Sequence, residues 1–422
     1  MAPTIDHTAE RANDALLANV RLPDGSGPVT LTIRDGIIAA ITPAGHAADG
    51  PASGHQPAPA LTFATPPRTF DGGGRVVLPR FVDAHMHLDK TLMGEPWIGL
   101  PETRTLAERV ASAERLLSTE TTRTVEERAT ALVESARGFG TLALRSHADV
   151  TPGLGLRSVE ALLAVRERFA GEVDIQLLAF PQDGAITPGV GELLEEALKM
   201  GCTVLGGLDP AGYDGDIEAH LKLLFTLAPR YGVGIDIHLH DGGSLGLFEI
   251  GRICAWTERV GYAGKVAVSH AFALGDRPPA EVQPVLDQMA RAGVAAITAA
   301  SGASPVPPAA LLWEAGVTLG IGSDNVHDSW SPFARGDVLE KAFLVAYRNN
   351  LRTDAGLTRT LAAITDVNAR LLGLEPGRVA VGAPADLVVV DAENGAEAVA
   401  AHPPRLLILR GGRAVGGQLD VR

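Results

Sequence analysis

From about Val76 to Asp324 the chain alternates short, continuous apolar runs with longer stretches in which apolar residues recur every three or four positions. The short runs are "RVVLPRFVDAH", "TLALRSHADV", "DIQLLAF", "CTVLGGLDP", "GVGIDIHLH", "KVAVSHA", "GVAAITAA" and "VTLGIGSD". Their length and β-branched content predict strands. The longer stretches, such as "SVEALLAVRERFAG" and "VGELLEEALKMG", have the 3.6-residue period of amphipathic helices. Eight strands alternating with helices predict an α/β fold, a (β/α)8 barrel of the TIM type over residues 76–375, with reactive groups at the C-terminal ends of its strands.

The two ends differ from this middle. "LLANVRLPDGSGPVTLTIRDGIIAAI" reads as short strands broken by Pro-Asp-Gly and Asp-Gly turns, and "ADLVVVDAENGAEAVAAHPPRLLILRGGRAVGG" has the same character. Neither segment buries both faces alone, so residues 1–75 and 376–422 are expected to pair into a small composite β-sandwich domain. Gly45 to Pro67 is rich in Pro, Ala and Gly and predicts a surface loop. "GLTRTLAAITDVNARLLGL" predicts one amphipathic packing helix.

Composition narrows the partners. Hydrophobic residues make up 46% of the 422 and charged residues 20%, as in an ordinary globular chain. The 36 basic against 50 acidic side chains leave −14, which opposes binding to nucleic acid or an anionic membrane and favours a small molecule. No run approaches the ~20 apolar residues of a membrane span. The N-terminus carries charges where a signal peptide has an apolar core, so a cytoplasmic location is expected. Cys202 and Cys254 lack CxxC spacing and are expected to be small buried hydrophobes.

The polar residues sit where barrel chemistry is done. Of the 12 histidines, His85, His87, His147, His238, His240 and His270 fall at the ends of expected strands, and His327 follows the eighth. Asp83, Asp149, Asp209, Asp236 and Asp324 share those positions, with Gln182 just past the third strand. Residues two apart in a strand face the same way, so His85 and His87 point together into the barrel mouth, and His238 and His240 repeat the geometry. With His270 and Asp324, these pairs predict a metal site. Three imidazoles and a carboxylate suit one divalent cation, zinc first, with iron(II) or manganese(II) as alternatives, and leave a position open for water. Such a cation lowers the pKa of that water, and Asp324 is placed both to touch the cation and to take the water's proton. "CTVLGGLDP" offers neither lysine nor glutamate to bridge a second metal, so one is expected.

Other residues have two readings. His147 is either a site residue or a buried histidine bonded to a neighbouring strand, and Arg145 pairs with Asp149 or meets a substrate oxygen, the ion pair being expected. Lys90 lies three residues past His87, at the mouth or on the surface. Trp330 is core packing or a lid for a planar ring.

Seven ordered motifs carry a resemblance to the amidohydrolase superfamily, in the branch of cytosine deaminase and N-isopropylammelide isopropylamidohydrolase. They are "GGRVVLPRFVDAHMHLDK", "LLAFPQDG", "MGCTVLGGLDPA", "IDIHLHDGG", "VSHAFA", "GSDNVHDSWSPF" and "PADLVVV". The resemblance implies that His85, His87, His238 and Asp324 bind the metal, that Asp324 also shuttles a proton, and that His270 orients or polarises water and substrate. It implies that Lys90 and Asp209 line the site, as in the triazine enzyme, and that Gln182 and Trp330 contact substrate, as in cytosine deaminase. Where cytosine deaminase has a glutamate, "HLHD" has Asp241 and adds His240. Protonation of the leaving side is therefore left among Lys90, His240 and Asp241. The implied reaction is hydrolytic removal of ammonia or an alkylamine from a pyrimidine or s-triazine by a homo-oligomer. Cyclic amide hydrolysis is the alternative, and a catalytically silent scaffold is a third reading that a complete ligand set opposes.

Overall fold

Strands β1 (Ala15–Arg21), β2 (Val29–Arg34), β3 (Ile37–Pro43) and β4 (Arg68–Pro79) precede the barrel in this computed structural model, which describes residues 14–44, 67–103 and 106–419. All but the last residue of the expected 45–67 loop lies outside the described residues. The barrel strands are β5 (Phe81–Met86), β6 (Thr141–Asp149), β7 (Asp174–Phe180), β8 (Val204–Leu208), β9 (Gly234–His238), β10 (Val266–Ser269), β11 (Val294–Thr298) and β12 (Leu319–Ile321). β13 (Leu387–Val390), β14 (Arg405–Arg410) and β15 (Arg413–Gly417) follow.

The terminal segments pair into one seven-stranded sheet in the order β15-β14-β13-β4-β1-β2-β3. β1 runs parallel to β4, and the other pairs are antiparallel. Alternate residues Leu17, Leu31, Ile33, Phe70, Val77, Leu387, Val389, Leu407 and Leu409 fill its core, as the period of two requires.

The chain divides into Met1–Arg80 with Gly377–Arg422 and, separately, Phe81–Pro376. The first division falls five residues beyond the expected 75/76. Val76 to Pro79 pair with Val390 to Leu387, so the continuous apolar run "RVVLPRFVDAH" serves two sheets in turn. Pro79, without an N–H to continue a ladder, ends the first of them.

The second unit is an eight-stranded parallel sheet in simple order from β5 to β12. Helices cover it, burying Leu132, Leu162, Leu194, Leu224, Ile253 and Leu286 among a continuous apolar shell. β5 and β6 are buried at every position, which is why they read as unbroken runs rather than alternations.

The sheet closes on itself through a seam of hydrogen bonds between β5 and the end of β12. Asp324 N donates to His85 O at 2.7 Å, and Ser323 N donates to the Asp83 carboxylate at 3.0 Å. Gly322 allows this approach, since a Cβ there would fall 2.5 Å from the His85 Cβ. Asn368 staples both strands: its Nδ2 donates to Val82 O at 2.7 Å and Ile321 O at 2.6 Å, while Oδ1 accepts from Ile321 N at 3.2 Å. The single helix expected around Asn368 is instead Asp354–Ala362, a π-helical turn Ala363–Val367, and Asn368–Leu371. The wide turn delivers Asn368, itself fully buried, to the seam. Among the described residues no helix is long and apolar enough to cross a membrane.

Asn368→Leu conserves volume but orphans three buried backbone groups. It is expected to destabilise the chain by about 2–4 kcal/mol with an unchanged urea m-value, read by equilibrium unfolding. A loss under about 1 kcal/mol would mean that the staple is dispensable.

Candidate active site

Four ligand atoms converge at the C-terminal mouth of the barrel. His85 Nε2 and His87 Nε2 each lie 3.5 Å from Asp324 Oδ1, and His238 Nε2 lies 3.3 Å from His87 Nε2. A tetrahedral cation with ligands at ~2.1 Å has edges of ~3.4 Å, so this spacing fits one. His85 Nε2 is buried without a hydrogen-bond partner. Nitrogen lone pairs and a carboxylate facing one another at these distances require a positive charge between them. His270 joins them from β10: one ring nitrogen each of His85, His238 and His270 lie within 4.8 Å, as do those of His85, His87 and His147.

Electrostatics keeps these groups ready as donors. Burial is the main cause that holds His87, His147, His238 and His270 well below the ordinary imidazole value, aided by neighbouring imidazoles. Burial pushes Asp324 up, but the surrounding imidazoles, His270 foremost, outweigh it and hold its carboxyl well below the usual range. Ser301 Oγ donates to Asp324 Oδ2 at 3.3 Å.

A buried relay sets the orientation of His85. Arg145 Nη1 donates to Asp236 Oδ2 at 2.9 Å, Ser269 Oγ donates to Asp236 Oδ1 at 2.7 Å, and His85 Nδ1 meets Ser269 Oγ at 3.0 Å. Because the serine proton is committed to Asp236, the histidine proton sits on Nδ1, which leaves Nε2 as a lone pair facing Asp324. Arg145 thus pairs with Asp236, and not with Asp149 as the sequence suggested. Inward-facing residues two apart along one strand occupy successive layers of the barrel, so Arg145 and Asp236 lie one layer beneath His147 and His238.

Asp149 belongs to Lys90. The Lys90 ammonium is buried, 3.1 Å from Asp149 Oδ1 and 2.5 Å from Gln182 Oε1, and lies over the Phe180 ring at 5.2 Å. Burial alone would depress it, but Asp149 and Asp89 outweigh that and hold it above the ordinary lysine value. Burial conversely pushes Asp149 up to about 7 against the pull of Lys90. Lys90 is therefore an inward-facing site group. His147, the residue with two readings, donates from Nδ1 to Met86 O, 3.2 Å away, and its ring lies 4.1 Å from that of His85.

A cavity of about 680 Å³ opens above this floor, lined among others by Gln182, Asp209, His240, His270, Asp324 and Trp330. A smaller recess shares most of these residues and adds His87, Lys90, Phe180 and His238. Asp209 points at His240: its Oδ2 lies 2.9 Å from His240 Nδ1, and its Oδ1 accepts from His240 N at 2.5 Å. Burial lowers His240, but the Asp209 hydrogen bond and charge more than offset it and raise its pKa. Asp241, expected beside His240 as a proton donor, lines neither space. Its Oδ2 accepts from Gly212 N at 2.7 Å, and its N–H lies 3.4 Å from Asp209 Oδ1. One residue past His240, its side chain leaves on the other side of the backbone, toward the loop after β8.

Asp209, His270 and Asp324 all have left-handed backbones, with φ of 33°, 68° and 58°. Such conformations cost roughly 1–3 kcal/mol each and collect at functional sites. Sequence reading missed Ser269, Ser301, Phe180 and Asp328. Ser269 was signalled by its place before His270 in "VSHA". Asp328 is fully buried and accepts from Trp330 N, Ser331 N and Asn325 Nδ2 at 2.6–2.9 Å, so it shapes the turn that presents Trp330. The expectation for the cysteines agrees with the structure: both are free and buried.

Comparisons with known proteins point one way. A profile described as the Amidohydrolase family matches residues 103–415. The chain is similar to N-isopropylammelide isopropyl amidohydrolase of Pseudomonas sp. (strain ADP), 36% identical over 355 residues, 82% of this chain and 87% of that protein. Among solved structures, it is similar to N-isopropylammelide isopropylaminohydrolase from Burkholderia multivorans ATCC 17616, with a TM-score of 0.87 and 36% identity over 97% of this chain and all of that one. It is also similar to 5-methylcytosine deaminase from Klebsiella pneumoniae liganded with 5-fluorocytosine, with a TM-score of 0.80 and 29% identity over 96% of this chain and 98% of that one.

Ser269→Ala breaks the relay to His85 without touching the cluster directly. It is expected to weaken the affinity for a divalent cation about 10–100-fold, read by competition with a chromogenic chelator. Unchanged affinity would mean that the relay does not set the imidazole.

Proposed function

The chain belongs to the amidohydrolase family, and from that premise we propose that it hydrolytically removes ammonia or an alkylamine from a pyrimidine or s-triazine ring. It is a hydrolase acting on carbon–nitrogen bonds, of a metal-dependent family. The observation that carries the heterocycle reading is the recess itself. Its floor carries His87, His238 and Asp324 of the cluster, one wall is the Lys90–Gln182 donor–acceptor pair, and the other is His240, which Asp209 holds from behind.

In this reading His85, His87, His238 and Asp324 hold one divalent cation, zinc first and iron(II) or manganese(II) otherwise. When bound, the cation supplies a water of lowered pKa close to the substrate carbon. Asp324 would take one proton from the attacking water as its oxygen bonds to the ring carbon bearing the exocyclic nitrogen, and would pass that proton to the adjacent ring nitrogen. His270 donates toward the charge that develops at the tetrahedral carbon. His240, held through Nδ1 by Asp209, delivers a proton from Nε2 to the leaving nitrogen. The C–N bond then breaks and amine departs; as the ring carbon keeps the oxygen as a carbonyl, the remaining hydroxyl proton returns by way of Asp324 to His240 and replaces the one given to the leaving nitrogen. Lys90 and Gln182 offer a donor and an amide to the ring edge, and Trp330 offers a flat face to the ring plane.

Product release from a panel of amino- and alkylamino-substituted pyrimidines and s-triazines tests this, using cation-reconstituted enzyme and separate assays for ammonia and alkylamine. Turnover of at least one member is expected, and it should vanish in His87→Ala. Silence across the panel, with hydrolysis of cyclic amides instead, would replace amine release by ring opening. His240→Asn is expected to lower kcat/KM by about 10²-fold or more. A smaller effect would return the proton to Lys90.

A further inference from the structure

The loop after β8 is tied down by two acidic side chains that the reaction above leaves unused. Glu249, on the helix Gly243–Val260, is fully buried and accepts through Oε1 from Ala211 N at 2.8 Å. Asp241 accepts from the next amide, Gly212 N, at 2.7 Å. Glu249 Oε2 is buried and meets no donor, and because Ala211 N and Gly212 N are consecutive amides, the Glu249 and Asp241 carboxyls that accept from them are neighbours. Any Cβ at Gly212 would overlap the Asp241 carboxylate. The turn is therefore seated directly against the acid pair. A fully buried glutamate beside a second carboxyl takes up a proton, which turns a repulsion into a hydrogen bond.

We propose that Glu249 is a positioning residue: its carboxyl group shares one proton with Asp241, and the pair pins Ala211 and Gly212 so that Asp209 aims His240 into the recess. This rests on the reading of His240 given above. The transmission path is short. Asp209 precedes the pinned amides by two and three residues, has a φ of 33°, and is anchored on its other side by Asp209 N donating to His238 O at 2.9 Å. A backbone that L-residues rarely adopt needs restraint on both sides. With the Ala211–Gly212 side loosened, the carboxylate that holds His240 Nδ1 loses its aim.

The titration of Glu249 agrees with this geometry. Burial, opposed by the Ala211 N–H and reinforced by the charges of Asp241 and Asp209, pushes it up to about 8. Those two aspartates are the charged groups facing it. Those of neighbouring elements are engaged elsewhere: Glu218 with Arg252, Glu258 with Arg291, and Asp276 with Gly243 N. Because the folded pKa lies above the ordinary glutamate value, the latch is complete at low and neutral pH and is lost as pH rises through about 8.

Hydrogen–deuterium exchange over residues 208–214 reads the latch without reference to any substrate. It is measured on the cation-loaded full chain from about pH 6 to about pH 9.5, for the parent, Glu249→Gln and Glu249→Ala. After correction for intrinsic exchange, the parent should lose at least about tenfold protection as pH rises through about 8. Glu249→Gln, whose amide donates to Asp241 at every pH, should stay protected, and Glu249→Ala should be unprotected throughout. In amine release, Glu249→Ala should lower kcat about 10²-fold with little change in KM, and Glu249→Gln should restore kcat and flatten the alkaline limb. Equal protection in parent and Glu249→Ala overturns the proposal, as does full kcat in Glu249→Ala. If Glu249→Ala fails to fold, the parent and Glu249→Gln alone decide, and identical pH profiles overturn it. If the parent releases no amine but its loop follows Glu249 as described, the latch stands and the proposed reaction falls.

Discussion

The candidate site depends on one constraint: a sheet of eight parallel strands must close, and here it closes through β5 and the residues after β12. The hydrogen bond from Asp324 N to His85 O is both a structural seam and the reason a carboxylate from the end of the chain's barrel lies against imidazoles from its beginning. Gly322 makes room and Asn368 holds the two strands in place. Nothing local in "GSD" or "HMH" brings these residues together. Closure does, and the same few ångströms serve stability and chemistry at once.

Beneath that seam, the barrel interior is more polar than a packed core usually is. Arg145, Asp236 and Ser269 are buried, and each is satisfied by the next, so their desolvation is offset by mutual hydrogen bonds. The chain ends on His85, where it fixes which nitrogen carries the proton. Lys90 plays a comparable part on the opposite wall, where its charge is shared among Asp149, Asp89 and the Gln182 carbonyl.

Much of this was legible in the sequence because barrels obey a simple rule of position. The alternation of runs displayed the eight strands, and the polar residues ending most of them marked the mouth. Spacing and order picked out His85, His87, His238, His240, His270 and Asp324, the family resemblance implied His85, His87, His238 and Asp324 as the ligands, and the structure brings those four together. What sequence could not display was depth and handedness. Arg145 lies beneath the mouth and so meets Asp236, a partner 91 positions away. Asp241 turns away because, one residue past His240, its side chain leaves on the opposite side of the backbone and meets Gly212 N. The domain boundary hid inside an unbroken apolar run because both sheets want the same residue types. Asn368 was invisible because it sits in the middle of a segment patterned as an ordinary amphipathic helix, and only the π-helical turn before it reveals the seam.

The cavity above the cluster measures about 680 Å³, far more than a single six-membered ring occupies. A chamber of that size does not discriminate by shape. Its selectivity falls to the buried polar groups of the inner recess, which reject a molecule that leaves them unpaired far more strongly than one that merely fits loosely. The loop residues at its rim, Gly302, Ala303, Ser304, Pro332 and Phe333, carry none of the groups assigned to the reaction. In evolutionary terms the two levels are separable: rim substitutions can exchange one side group for another while the floor keeps the same reaction, so a new substrate is within reach of changes that never touch a ligand.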